Sequence, residues 1–363
     1  MEEVDEASGF KGYWFSISEA LTIVVCGMLC GLRNVSDIHE WSKAAPVRNF
    51  MSTEFGMERF PCRAQLYNIL ACVDVEKSNQ SFIRWMQKVL LGGNAKKTIA
   101  IDGKTICSTD KLTKDGSALH IASAIVSELG LVIGSRECDT KMGEIVAFRE
   151  LLDMLDVAGA MIVADALHCN RNSAKAVVAA GADYLLCVKD NQPTLKEDIE
   201  LYVAEEKLEK AVSLEKNGGR IEKRTAYVST EIDWLENREE WAELACVGAI
   251  HTQFEKNSQK SSNWHYYISS AALSAEDLLR HARLEWGVEA MHWLLDVHFA
   301  EDKTRVWDMD VQKSLNLLRK IALNLAKLYK ERLGLKIPTS GVFKRNLFDP
   351  NHLAAFLCCF TED

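Results

Sequence analysis

The chain lacks any run of the roughly 18 to 20 consecutive apolar residues that a membrane-spanning helix needs. Its nearest approach, ALTIVVCGMLCGL at 20–32, is too short and reads as a core helix. Met1 is followed by EEVDE instead of a basic segment, so no secretory leader is expected. Proline is scarce, at 5 in 363 residues, and no Ser/Gly tract or internal repeat appears, which removes the usual signs of a flexible linker or a solenoid. A general excess of basic charge is missing too. The formal net charge is -9, so a nucleic-acid partner would have to meet a local concentration of Lys and Arg.

Other absences narrow the chemistry. No CxxC pair has zinc-like spacing, and the eleven cysteines lie mostly in apolar segments (Cys26, Cys30, Cys72, Cys187, Cys246), as expected of reduced thiols in a cytoplasmic protein. There is no GxSxG elbow, and Cys169 has no basic neighbour apart from His168.

What is present is a folded chain, 48% hydrophobic and 26% charged, long enough for two or three domains. Residues 16–90 have polar starts before apolar runs at helical spacing, and predict a helical N-terminal region. The texture changes at GGNAKK (92–97). TIAIDGKT, LHIASAIVS and GLVIGSREC then read as three neighbouring strands, followed by a helix in EIVAFRELLDMLDV and a strand in MIVADALH. NRNSAKAVVAAGA reads as a helix closing at Gly181, and DYLLCVKDNQ as another strand. This alternation predicts an α/β or α+β core with a mixed sheet. From about 195 to 275 a charged helix, LKEDIELYVAEEKLEKAV, leads into strand-like segments at RIEKRTAYVS, LACVGAIHTQF and WHYYISSAAL. They read as an insertion before the long helix LSAEDLLRHARLEWGVEAMHWLLDV.

Three carboxylates stand out. Asp102 ends the triplet IAI and Asp165 ends IVA, and acids at the C-terminal ends of buried strands are where α/β folds place ligand chemistry. Each could instead cap a turn or helix. On the long helix, Glu285, Glu289, His292 and Asp296 recur at spacings that share one face, with Trp286, Trp293 and Leu294 on another. Helix geometry does not choose between Glu285 and Glu289. Carboxylates brought together repel unless a cation offsets them, and hard oxygen donors without a His/Cys cage suit magnesium or manganese. Two such ions about 4 Å apart support phosphodiester cleavage without a nucleophilic side chain.

Several ordered blocks carry a family resemblance: IAIDGKT (99–105), Lys141 with Glu144 and Ile145, ADALHCNR (164–171), GADYLLCVKDNQPTL (181–195), GRIEKR (219–224), YYISS (266–270), and Arg283 with EWGVEAMHWLLDVHFAED to 302. Over about residues 17–335 the chain resembles the DDE transposases of bacterial insertion sequences, in the ISAs-type branch with the H-repeat-associated proteins. The resemblance implies a ribonuclease H-like mixed sheet flanked by helices, with a β-strand insertion and an N-terminal helical domain. Its expected division is 1–92, 93–335 with the insertion at about 196–275, and a C-terminal tail at 336–363. It implies Asp102, Asp165 and Glu289 as catalytic, metal-binding acids using Mg2+ or Mn2+, as two ions, and so selects Glu289 over Glu285. Implied contacts to DNA are Lys104, Lys189, Asn191, Gln192, Arg283 and Arg305. The implied activity is metal-dependent hydrolysis at element ends followed by strand transfer into target DNA, with a homodimer holding paired ends.

The chain departs from the family pattern near the last acid. The wider superfamily often has Tyr, Arg and Lys flanking the catalytic Glu, where this chain has Ala282, Glu285 and Asp296. The branch usually has Asn where Ala290 stands and His where Glu285 stands. A catalytically inactive, transposase-derived DNA-binding protein is therefore the alternative, and a phosphate-accepting Asp165 a further rival. Basic charge is concentrated in 311–345, which holds nine Lys or Arg and one acid, Glu331. There, SLNLLRKIALNLAKLYK predicts Leu318, Ile321, Leu325 and Leu328 on one helix face and Lys313, Lys320, Lys327 and Lys330 on the other. Lys320 and Lys327 are thus candidate phosphate contacts. No helix-turn-helix signature marks the N-terminal region. His168 is open to three readings: touching DNA, ordering Asp165 or capping a helix.

Overall fold

The computed structural model describes residues 15–90, 96–112, 118–138, 141–217, 220–256 and 259–360, apart from the side chains of 112, 141, 142 and 217. Five helices open the chain: α1 (Ile17–Leu29), α2 (Val35–Ser42), α3 (Ala45–Phe55), α4 (Arg63–Ala71) and α5 (Val75–Val89). Ser16 and Glu19 form a reciprocal capping box at the start of α1. The helix interior has no charge to keep it at the surface, and ten of its thirteen residues are buried. Gly27 lets α2 approach, since a Cβ there would lie 2.7 Å from Ile38.

An antiparallel meander follows: β1 (Thr98–Ile106), β2 (Leu119–Val126) and β3 (Leu131–Cys138). Next come α6 (Lys141–Met154), β4 (Met161–Ala164), α7 (Arg171–Ala179) and β5 (Asp183–Val188), with β4 parallel to both β1 and β5. Most of the GGNAKK texture change lies outside the described residues. The strand order β3-β2-β1-β4-β5, with β1 at the centre and β2 alone antiparallel to the other four, is the ribonuclease H-like arrangement.

The expected insertion comprises α8 (Pro193–Glu205), β6 (Glu209–Asn217), β7 (Arg220–Ser229), β8 (Cys246–Lys256) and β9 (Gln259–Ser269). It continues the sheet instead of forming a separate layer, because β9 pairs antiparallel with β5 and β8, β7 and β6 follow outward. One element differs from expectation. The charged helix stops at Glu205, and EKAVSLEKN becomes β6, paired with β7 along all nine residues. Helix propensity over so short a segment is a few tenths of a kcal/mol per residue, roughly, and a full ladder overrides it.

Four α-helices complete the described residues: α9 (Ala275–Phe299), α10 (Met309–Arg332), then α11 (Thr339–Phe348) and α12 (Pro350–Cys358). The tail expected over 336–363 is therefore helical through most of its length. Val342, Phe343, Leu353 and Phe356 are buried, and α12 packs against α3 while α11 packs against α1 and α10. A single hydrophobic cluster runs from α1 through the sheet to α12. Among the described residues no cysteine forms a disulfide, and no helix is long and apolar enough to cross a membrane.

The basic face expected on α10 is only partly exposed, through Lys313, Lys327 and Lys330. Lys320 and Arg319 are 1% exposed, and Lys327 donates to the carbonyl of Gly130. The reason is that α10 packs against α1, α4, α5 and β3 at once. Burial pushes the ammonium groups of Lys320 and Lys327 down to about 8. Lys320 is withdrawn from the surface, while Lys327, partly exposed, spends its ammonium on the Gly130 carbonyl.

Candidate active site

Asp102 does not end its strand. β1 runs on to Ile106 against β2, but its parallel partner β4 accompanies it only as far as Ile101, which pairs with Ala164. The next residues on the two chains are Asp102 and Asp165. Adjacent strands lie about 4.8 Å apart, so the two acids leave neighbouring backbones at one level. Asp165 also caps the short turn that follows it, its Oδ1 accepting the Leu167 N–H at 2.9 Å. Asp165 thus caps that turn and also lines the cleft between the sheet and the helix that follows the insertion.

Helix α9 crosses this end of the sheet and packs against β1, β4 and the extension strands. A cleft of about 300 Å³ opens between them, and Asp102, Asp165, Glu285 and Glu289 all line it. Lys189, just past β5, and Arg283, on α9, line it too. The insertion supplies another wall: Arg224 of β7 reaches the cleft and lies 4.9 Å over the ring of Trp286.

Burial and then the neighbouring charges of Glu144 and Asp165 raise the Asp102 carboxyl to about 6. Burial and then Asp165, with Asp102 and Glu289 adding to it, raise Glu285 to about 7 against the opposing pull of Lys189. Further along α9, His292 Nδ1 lies 3.8 Å from Asp102, and burial followed by Lys320 and Lys104 pushes the ring down to about 3. It is neutral at physiological pH. The α9 stripe thus faces the strand that carries Asp102.

Other candidate residues have different employment. Lys104, two residues after Asp102 and on the same face, is bound by Asp296 at 2.7 Å, Glu301 at 3.4 Å and Asp302 at 3.6 Å. It pins the C-terminal end of α9 to β1, and these ion pairs occupy its ammonium. Asn191 donates to the carbonyls of Ala166 and Cys169, and Gln192 to that of Cys169. Asn191 spends both amide hydrogens and Gln192 one of its two on the turn after Asp165. Arg283 stays at the cleft, paired with Glu215, while Arg305 is exposed between α9 and α10, outside the cleft lining.

Beneath the acids lies a cluster that sequence reasoning missed. Glu144 of α6 is 5% exposed, and accepts from His120 Nε2 at 2.6 Å and from His168 Nε2 at 3.1 Å. Burial pushes its carboxyl up, but these hydrogen bonds outweigh that and hold it at about 2. His168 is fully buried, so it does not touch DNA. The sequence did carry a signal: Glu144 shares its helix face with Phe148, Leu151 and Leu155, and a carboxylate on an apolar face needs a partner. The side chain of Lys141, from the same block, lies outside the described residues.

Among the described residues, no three His, Cys, Asp or Glu side chains group closely enough to form a ready metal cage. The donor set nevertheless fits a hard divalent cation. Asp102, Asp165 and two helix glutamates face one cleft, and burial followed by mutual repulsion raises Asp102 and Glu285, a repulsion that a cation would offset. Such ions keep waters and take further ligands from phosphate, so a full protein cage is not required.

A ribonuclease H-like sheet with acids beside one another on β1 and β4 and across from them on α9 defines a polynucleotidyl transferase. The transposase DDE domain family matches residues 93–325. The "H repeat-associated putative transposase YhhI" of Escherichia coli K12 is 29% identical over 377 residues, 98% of this chain and 97% of that protein. An "uncharacterized protein in dhlA 3'region" of Xanthobacter autotrophicus is 30% identical over 261 residues, 70% of this chain and 87% of that one. A cryo-EM structure of the piggyBac transposase synaptic complex with hairpin DNA aligns with 98% of this chain and 76% of its own, at a TM-score of 0.46 and 11% identity. The chain belongs to the DDE transposases, in the insertion-sequence branch of the H repeat-associated proteins. It is a DNA transposase, and its family works with divalent metal ions.

Proposed function

We propose that this transposase hydrolyses a phosphodiester bond at each element end and joins the released 3'-hydroxyl to target DNA in the same cleft. Asp102, Asp165 and Glu289 are the proposed metal-holding acids. The observation that carries the reading is the β1/β4 register, which starts Asp102 and Asp165 side by side at the cleft that Glu289 also lines. Magnesium or manganese, as two ions, supplies when bound the activation of water or hydroxyl and the stabilisation of the leaving oxygen.

The chain's own part is positional. The Leu167 N–H engages one oxygen of Asp165 and leaves the other to a ligand. Lys104 and Asp296 fasten α9 across β1, which keeps Glu289 opposite the strand acids. Lys189 and Arg283, at the cleft, and Arg305, exposed beyond it, are the DNA contacts retained from the sequence. Two protomers would hold paired ends, in the cytoplasm. We assign residues 93–335 as the catalytic unit, with the insertion at about 196–275 lining its site, and the N-terminal helices as the candidate reader of terminal repeats.

One observation favours a second candidate for the third acid. Glu285 lies one helical turn before Glu289, is less exposed, and feels Asp165 more than any other charge. Cleavage of an end-bearing DNA by purified protein with magnesium or manganese tests the whole reading. Asp102→Asn, Asp165→Asn and Glu289→Gln should each abolish cleavage and keep salt-sensitive DNA binding. Cleavage surviving in either aspartate variant would overturn the metal-site reading, and loss in Glu285→Gln but not Glu289→Gln would move the third acid. A wild-type protein that binds but never cuts would be the inactive alternative.

A further inference from the structure

We infer that Glu144, held between His120 and His168, is a positioning residue that sets the placement of Asp102 relative to Asp165. The inference rests on the metal-site reading above, and concerns residues on the opposite side of the sheet from the cleft.

Successive strand residues point to opposite faces, so Asp102 and Lys104 face α9 while Gly103 faces α6. A Cβ at 103 would lie 2.3 Å from Glu144 Oε2 and 2.5 Å from His120 Nε2. The carboxylate and imidazole therefore sit directly under the β1 backbone at the residue after Asp102. His120 is fixed from its other side, with Nδ1 2.8 Å from the hydroxyl of Thr105, its cross-strand partner on β1. One oxygen of Glu144 thus holds the Asp102 strand.

The other oxygen holds the Asp165 turn. Ala166–His168 is the short helical turn that Asp165 caps, and its last residue carries the imidazole that meets Glu144 Oε1. That ring is stacked on Phe148, at 4.4 Å between centroids, one helical turn after Glu144 on α6. Each carboxylate oxygen is committed to the segment bearing a different catalytic acid, and both links are buried. An ionised carboxylate accepts only, so both Nε2 atoms donate, and no neutral replacement can accept from both through the same two atoms.

Glu144→Gln tests this, because the amide keeps the shape but presents a donor to one of the two imidazole N–H groups. The expected result is a folded protein that binds end-bearing DNA as wild type does. Its cleavage kcat should fall about 10- to 100-fold, and its half-saturating Mn2+ concentration, read by calorimetry without DNA, should rise by a similar factor, as for other supports behind metal ligands. Wild-type kcat and wild-type Mn2+ binding would overturn the inference, as would a kcat loss with unchanged Mn2+ binding. If Glu144→Gln fails to fold, Thr105→Val decides: it frees only His120 Nδ1, and should lower kcat several-fold with DNA binding unchanged, whereas an unchanged kcat would overturn the inference. Cleavage persisting in Asp102→Asn or Asp165→Asn would instead mark failure of the metal-site reading itself.

Discussion

Replacing Glu285 by Gln should stabilise the metal-free protein, and the gain should grow with pH. Glu285 stands where the branch usually has His, and it adds a carboxylate to a cleft that already holds three. Burial and then Asp165 raise it from an ordinary 4.5 to about 7. The folded state therefore binds this proton more tightly than the unfolded chain, and ionisation of the group destabilises the fold. Below the ordinary value the carboxyl is neutral in both states, and the substitution gains nothing. The penalty builds as pH rises from about 4.5 and is complete above about 7. At roughly 1.4 kcal/mol per pKa unit it approaches about 3 kcal/mol, an upper figure because water in the cleft screens part of it. Urea denaturation of wild type and Glu285→Gln at pH 4.5, 6 and 8, in chelator, reads the difference directly. The two should coincide at pH 4.5 and diverge by about 1 to 3 kcal/mol at pH 8. Equal stability at pH 8, or a gain of the same size at every pH, would refute the electrostatic origin of the effect. Saturating manganese should shrink the gap, since a bound cation offsets the repulsion that the substitution removes.

Three further outcomes follow from the same geometry. Mn2+ affinity should weaken as pH drops through about 6, because the metal-free Asp102 carboxyl gains its proton there and must lose it to bind; an affinity unchanged down to pH 5 would contradict the raised Asp102 carboxyl. Lys320→Met should leave DNA affinity and its salt dependence unchanged and raise the thermal midpoint, since the lysine is buried in α10 with no hydrogen-bond partner for its ammonium; weakened, less salt-sensitive binding would restore the basic-face reading. Lys104→Met should destabilise the protein by about 1 to 3 kcal/mol in urea denaturation, because the fully buried Glu301 loses one of its cations and, among the described residues, keeps only Arg319 and Asn316. A Lys104→Met protein of normal stability that binds DNA poorly would return Lys104 to the DNA interface.

The readable parts of this molecule were those governed by local pattern. Ile99–Ile101 and Ile162–Ala164 are short apolar runs closed by acids, and they are strands because nothing in them can face water. Asn170, Gly181 and Ser274 mark helix boundaries by side-chain caps or a left-handed turn, chemistry confined to a few adjacent residues. β6 was misread because EKAVSLEKN is as compatible with a helix as with a strand, and only its ladder with β7 decides. The roles of Asn191 and Gln192 in holding the turn after Asp165 were hidden for a similar reason: their amides donate to carbonyls more than twenty residues away.

By itself the sequence determined the alternation of strands and helices and the helix face that carries Glu285, Glu289, His292 and Asp296. It also determined the two acids that follow apolar triplets, because periodicity and burial preference act over a few residues. Only the tertiary structure decided that β1 loses its parallel partner at Asp102, that α10 is enclosed so that Lys320 never reaches solvent, and that Glu144 joins His120 to His168 beneath the acids. Those outcomes depend on how many neighbours an element acquires and on which distant groups fill the last hydrogen bonds. No pattern within one helix or strand encodes either quantity.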